Sequence, residues 1–241
     1  MKHLLQLSIV FLFLSCSYLP SPESFNIIQG NYCYIICDGD YSESVYRQVL
    51  SLADESFIAI QKMTGIDIQS LIPIYFNDSN FNNDAGIAYE NGIYLNYDFF
   101  LSDKELKMHV LKHEMVHMFF SLYYGHTTSF LFSEGVAEYF SYDRSDSTKY
   151  SSLCRELENW IDFSYIDYGL KRNEYEEIFT DIYSLSHKFI YFWCQTYGED
   201  SLQILYRDIS AENIISKLEE YSNSRFNDLN RRFLEFIGES E

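Results

Sequence analysis

The stretch Leu101–Leu122, LSDKELKMHVLKHEMVHMFFSL, constrains the fold of this chain more than any other segment. Ser102 and Glu105 have the S-x-x-E spacing of a capping box, and Leu101 and Leu106 occupy the positions of a hydrophobic staple. They predict a helix from about Asp103 to Tyr124, stopped by Gly125. Val110, Leu111, Met115, Val116, Met118 and Phe119 leave little of that helix for water. His113, Glu114 and His117 are therefore expected inside the protein. Ionisable groups are costly there unless paired or bound to a metal. Any fold for this chain must bring a polar partner to that helix face.

The H-E-x-x-H spacing suggests what the partner is. His113 and His117 lie one turn apart on one face, so both imidazoles can reach one Zn²⁺ at about 2.0–2.1 Å. Glu114 is rotated by about 100° from that pair, too far round to be a ligand beside them. It can still reach a water on the ion, which is the place of a general base. The bland alternative is two histidines packed on an apolar helix. A metzincin-like third ligand needs Gly at position 120 and His at 123; Phe120 and Tyr123 exclude it. Downstream, LFSEGVAEYFS places Glu134 and Glu138 four apart on one helical face, with Gly135 small enough for close backbone approach. Such a pair can give one carboxylate to the metal and let the other accept the free N–H of a ligating imidazole.

The remaining segments frame this core. FNIIQGNYCYIICDG reads as two strands joined at Gly30-Asn31, and the segment from Ser42 has apolar residues at helical spacing up to Gly65. LIPIYFN is a strand, and GIAYENGIYLN reads as two strands around the Asn91-Gly92 turn. After the histidine helix and the SEGVAEYF helix, further helices are predicted at about Tyr175–Tyr197, Asp200–Ile209 and Ala211–Tyr221, the last running on to one near Arg225–Ile237. The fold class is α+β: a small N-terminal mixed β-sheet with a helix, then a mainly helical C-terminal part, with the histidine helix between them. Residues 25–241 are expected to be a single domain, 25–124 carrying the sheet and active-site helix and 125–241 the helical part.

H-E-x-x-H followed by SEGVAEYF resembles the gluzincins, the thermolysin and aminopeptidase clan of zinc peptidases, and most of all their compact, peptidase MA-like bacterial branch. The resemblance implies a zincin-like domain with His113, His117 and Glu134 as zinc ligands and Glu138 as the second-shell partner of His113. Thermolysin-type enzymes have Asp where this chain has Glu138, and the loop from His117 to Glu134 is slightly shorter than in the aminopeptidases. GIAYENGIYLN resembles the edge strand that these enzymes lay along the substrate. DIYSLSHKFIYFWCQTYGEDSLQILYRDI resembles their C-terminal helical part, which makes Tyr183 the expected oxyanion donor. With 22 Tyr in the chain, packing is the rival role for Tyr183, and His187 one turn on is the rival residue. His126, just past Gly125, is expected in a loop.

The formal charge of −19 repels phosphate backbones and argues against a nucleic-acid partner. Lys2 and His3 precede an apolar run, Leu4–Leu14, that is too short for a membrane span of about 20 residues but has the length of a secretory core. Leu14-Ser15-Cys16 resembles a bacterial lipobox, although Phe13 stands where Leu is usual. The expectation is a signal peptide over residues 1–15, lipidation at Cys16, a tether to residue 24 and attachment to the cell envelope. Ordinary secretion and an uncleaved anchor are the alternatives. Cys33 and Cys37 sit about 13 Å apart if both lie in one strand, too far to bridge, so buried free thiols are expected.

Two function classes follow. The first is an exported metallopeptidase with one Zn²⁺ and a peptide or protein substrate. The second is a non-catalytic envelope lipoprotein of the same fold that binds a protein partner, for which Glu114 would have no use. A zinc hydrolase of a non-peptide amide would use the same residues.

Overall fold

The structure is a computed structural model that describes residues 26–37, 42–76, 85–96, 104–142 and 179–239. The expected signal segment and tether, Cys16, Ser102 with the staple residue Leu101, and Cys154 lie outside the described residues, as does the part of the expected Tyr175–Tyr197 helix that precedes Phe179.

The chain is α+β. Five short strands, β1 (Asn26–Gln29), β2 (Cys33–Cys37), β3 (Ile72–Phe76), β4 (Gly86–Tyr89) and β5 (Gly92–Leu95), form one mixed sheet. Its order is β1-β2-β3-β5-β4, antiparallel at both ends and parallel in the middle. Alternation decides which face is covered. Cys33, Ile35, Ile72, Ile74, Phe76, Ile93 and Leu95 all point inward and are buried. Cys33 and Cys194 are both buried; Cys33 is a free thiol, and burial pushes it far above its usual range.

Helix α1 (Glu43–Thr64) covers that face and carries the chain from β2 to β3. Tyr46, Val49, Leu50, Ala53, Phe57 and Ile60 recur at helical spacing and are buried. Gly65 ends it at φ 69°, and its N–H donates to the Gln61 carbonyl. Asp54, on the same helix, grips the β1–β2 turn. Its Oδ2 accepts from the Asn31 N–H at 2.8 Å and its Oδ1 from those of Tyr32 and Cys33 at 2.9 and 3.1 Å.

Helix α2 (Lys104–Tyr124) packs on α1 and on the β4–β5 hairpin, and Gly125 stops it at φ 89°. Helix α3 (Phe130–Ser141) turns back against it, capped by the Ser129 hydroxyl, which accepts from the Phe132 N–H. Helices α4 (Phe179–Tyr197), α5 (Glu199–Asp208), α6 (Ile214–Ser222) and α7 (Phe226–Glu239) complete the helical part. Helix α6 starts three residues after the expected Ala211, because the Asn213 side chain holds the preceding turn. Its Oδ1 accepts from the Ser210 N–H and its Nδ2 donates to the Asp208 carbonyl.

Aromatic edges join the layers: Phe57 meets Phe119, Phe120 meets Tyr206, and Phe189 meets both Phe132 and Phe233. The α2–α3 turn is tied to the far end of the chain. Thr127 Oγ1 donates to the Ile209 carbonyl, and Thr128 Oγ1 accepts from the Ala211 N–H. No helix among the described residues is long and apolar enough to cross a membrane.

Candidate metal centre

Helices α2 and α3 run side by side in opposite directions, and their polar faces interleave. Along the seam, Ser133 meets His117, Glu134 meets both His117 and His113, and Glu138 meets His113 and then His109. The i, i+4 spacing on each helix produces this alternation, with His113 falling between the two carboxylates one turn apart. Gly135 permits it. A Cβ there would lie 2.7 Å from the Ser186 carbonyl oxygen, so only glycine lets α4 pack this closely on α3.

Three atoms converge at the centre of the seam. His113 Nε2 is 3.1 Å from His117 Nε2 and 3.1 Å from Glu134 Oε2, and His117 Nε2 is 3.4 Å from the same oxygen. Ligands about 2.0–2.1 Å from a tetrahedral ion stand roughly 3.3–3.4 Å from one another, so this triangle has the dimensions of a metal site. Its chemistry agrees with its size. His113 Nδ1 lies 3.0 Å from Glu138 Oε1, and His117 Nδ1 lies 3.3 Å from Ser133 Oγ. With Glu138 accepting from His113 Nδ1 and the Ser133 hydroxyl placed where it can accept from His117 Nδ1, each neutral ring presents its Nε2 lone pair inward. Two lone pairs and a carboxylate oxygen then face one another in a buried space, which a cation relieves. His113, His117 and Glu134 are the donors that could hold it.

The proton affinities show the same field. Burial alone would lower the His113 pKa. Hydrogen bonds to Glu134 and Glu138, with the charges of Glu114 and Glu134, overcome it and hold the group well above its ordinary value. Burial would raise Glu134, yet the two histidines hold its carboxyl far below the usual range. Glu138 is held down to about 2, against its own burial, by His109 and His113.

Glu114 leaves the seam on the side of the sheet. It is 7% exposed, and Gly86 of β4 lies against it: a Cβ at position 86 would stand 3.1 Å from Glu114 Cγ. Burial raises its pKa, and the two histidines and a hydrogen bond with the Ala88 backbone oppose the rise. A carboxylate with raised proton affinity beside a cation site can take a proton from water.

The Tyr183 ring stands 6.2 Å from the His113 ring and 5.7 Å from that of Phe130. His187, one turn on, lies away from the donor triangle, stacked on Tyr142 at 5.7 Å, and burial lowers its pKa to about 4. His126 is in the exposed α2–α3 turn, with Nε2 3.0 Å from Ser121 Oγ.

Two members of the seam were not anticipated. Ser133 directly precedes Glu134, and nothing in its local spacing marks it. His109 could have been found, since it extends the histidine face by one more turn at i−4 from His113. No protein-family model matches this chain, and no curated protein matches it either. The site is therefore characterised by its own geometry.

Proposed function

We propose that this chain is a zinc-dependent peptidase of gluzincin type. The observation that carries the proposal is the donor triangle of His113, His117 and Glu134, with edges of 3.1–3.4 Å, beside a buried carboxylate that takes no part in it. A binding module has no use for Glu114 at that position. When bound, zinc would polarise the scissile carbonyl and lower the pKa of water. Glu114 takes the proton from the attacking water and returns it to the leaving amine. Glu138 and Ser133 hold the two imidazoles so that Nε2 faces the ion. Tyr183 shares the charge that develops on the carbonyl oxygen, a role supported by its ring lying 6.2 Å from that of His113. The proposal carries with it export and a lipid anchor at Cys16, supported by the apolar run of residues 4–14.

The test is a digest of a mixed peptide library with and without chelator, together with the variant Glu114→Gln. The parent is expected to contain zinc and to cleave in a chelator-sensitive manner. The variant is expected to keep the zinc and to lose about 10²–10⁴-fold in rate, as for removal of a general base. A variant that cleaves as fast as the parent refutes the mechanism.

A further inference from the structure

His109 belongs neither to the donor triangle nor to the proposed base. It lies one turn before His113 on α2, and its Nε2 stands 3.7 Å from Glu138 Oε2. That is the oxygen opposite the one that meets His113 Nδ1 at 3.0 Å. Its ring packs on Tyr142, the residue that ends α3, with centroids 4.1 Å apart. Its Nδ1 is buried with no hydrogen-bond partner among the described residues. An imidazole so placed costs least when its single N–H is on Nε2, facing Glu138. One histidine thus faces each oxygen of the Glu138 carboxylate.

His109, His113 and Glu138 could be taken for a second metal site, since their donor atoms lie within 4.8 Å of one another. The geometry opposes this. The two nitrogens address different oxygens of one carboxylate, and the 3.7 Å separation is wider than the roughly 3.3–3.4 Å between ligands of one zinc ion. A metal on His113 Nδ1 would also displace the proton that Glu138 accepts, while the same ring turns Nε2 to the triangle.

We infer that His109 is a positioning residue for the metal centre: its Nε2 faces the outer oxygen of Glu138 at 3.7 Å, an ion-pair rather than a hydrogen-bond distance, and so steadies the carboxylate that orients His113. The inference rests on the proposed metal centre and reaches one partner beyond it. With His109 removed, Glu138 can turn about its last torsion, and the His113 ring loses its fixed orientation. Outer partners of metal ligands are worth about 10–100-fold in affinity, so a residue one step further is expected to be worth roughly 3–10-fold.

The experiment measures zinc affinity by competition with a chromogenic chelator, zinc content by elemental analysis, and the absorption spectrum of the Co²⁺-substituted protein. It compares the parent with His109→Phe, which keeps the packing on Tyr142 but donates nothing, and with His109→Gln, which restores an N–H. His109→Asn, too short to reach Glu138, replaces the Phe variant should that one misfold. The parent is expected to hold one zinc, the Phe variant to bind roughly 3–10-fold more weakly, and the Gln variant to recover most of the difference. The Co²⁺ spectrum is expected to be the same throughout, because no ligand changes. Two results overturn the inference: a Phe variant that binds zinc as tightly as the parent, or a parent that holds two ions of which the variant loses one. A parent that binds no zinc at all refutes the underlying metal centre instead.

Discussion

Gly135→Ala tests whether the close contact of α3 with α4 sets the geometry of the donor triangle. The added Cβ would stand 2.7 Å from the Ser186 carbonyl oxygen, 2.8 Å from Ile190 Cγ1 and 2.9 Å from the Ser186 carbonyl carbon. Two of these are backbone atoms of α4 and cannot rotate away. Ordinary contact begins at 3.4 Å, so the helices must part by about 3.4 − 2.7 = 0.7 Å. Because those backbone atoms cannot yield, the overpacking costs about 2–3 kcal/mol, the upper part of the usual range. Alanine returns about 1 kcal/mol of helix propensity relative to glycine. The net expected loss is about 1–2 kcal/mol, or roughly 2–8 °C in Tm for a chain of this size. Glu134 is the next residue, and the triangle it completes tolerates little movement at edges of 3.1–3.4 Å. Zinc affinity should therefore fall about tenfold, the scale of a disturbed outer shell. Thermal unfolding in chelator isolates the packing term, and calorimetric titration with zinc isolates the site. An unchanged or raised Tm in chelator, with parental zinc affinity, would refute the reasoning at both levels.

Three further expectations rest on other contacts. Asp54→Ala removes the acceptor of three backbone N–H groups and should cost about 2–3 kcal/mol in urea unfolding; a loss under about 0.5 kcal/mol would mean that water replaces the carboxylate. Gly86→Ala presses on Glu114 and Val110, each 3.1 Å from the new Cβ, and should lower peptide hydrolysis while leaving zinc content unchanged; lost zinc would show that β4 braces the ligands instead. Burial holds His187 near pKa 4 rather than its usual 6.5, so between those values the unfolded chain binds the proton more readily. Its contribution is then complete above about pH 6.5 and is lost as pH falls to about 4; His187→Phe should flatten that limb of the stability curve, and an unaltered slope counts against it.

Much of this architecture is legible in the sequence because the signals are local. Gly65 and Gly125 mark helix ends that need a left-handed residue, and the alternation of Ile72, Ile74 and Phe76 marks a strand covered on one side. The seam is half legible. The i, i+4 pairs put His113 with His117 and Glu134 with Glu138 on common faces, but the offset between the two helices is a tertiary fact. That offset decides that Glu134 touches both histidines while Glu138 touches His113 and approaches His109. Ser133 gains its place only through that offset, whereas His109 already extends the histidine face at i−4 from His113. The Asp54 clamp joins residues more than twenty positions apart, and no periodicity announces it.

The donor triangle takes two corners from α2 and one from α3, with an exposed turn between them. On the proposed reading, a chain opened at Gly125, where nothing lies within 4 Å of the added Cβ position, becomes two fragments that each own part of a ligand set. The turn beyond the break stays with the helical fragment, through Thr127 and Thr128. Zinc would then act as a clasp whose concentration sets how much of the split protein reassembles, turning occupancy of the centre into a measurable association of two polypeptides without any substrate.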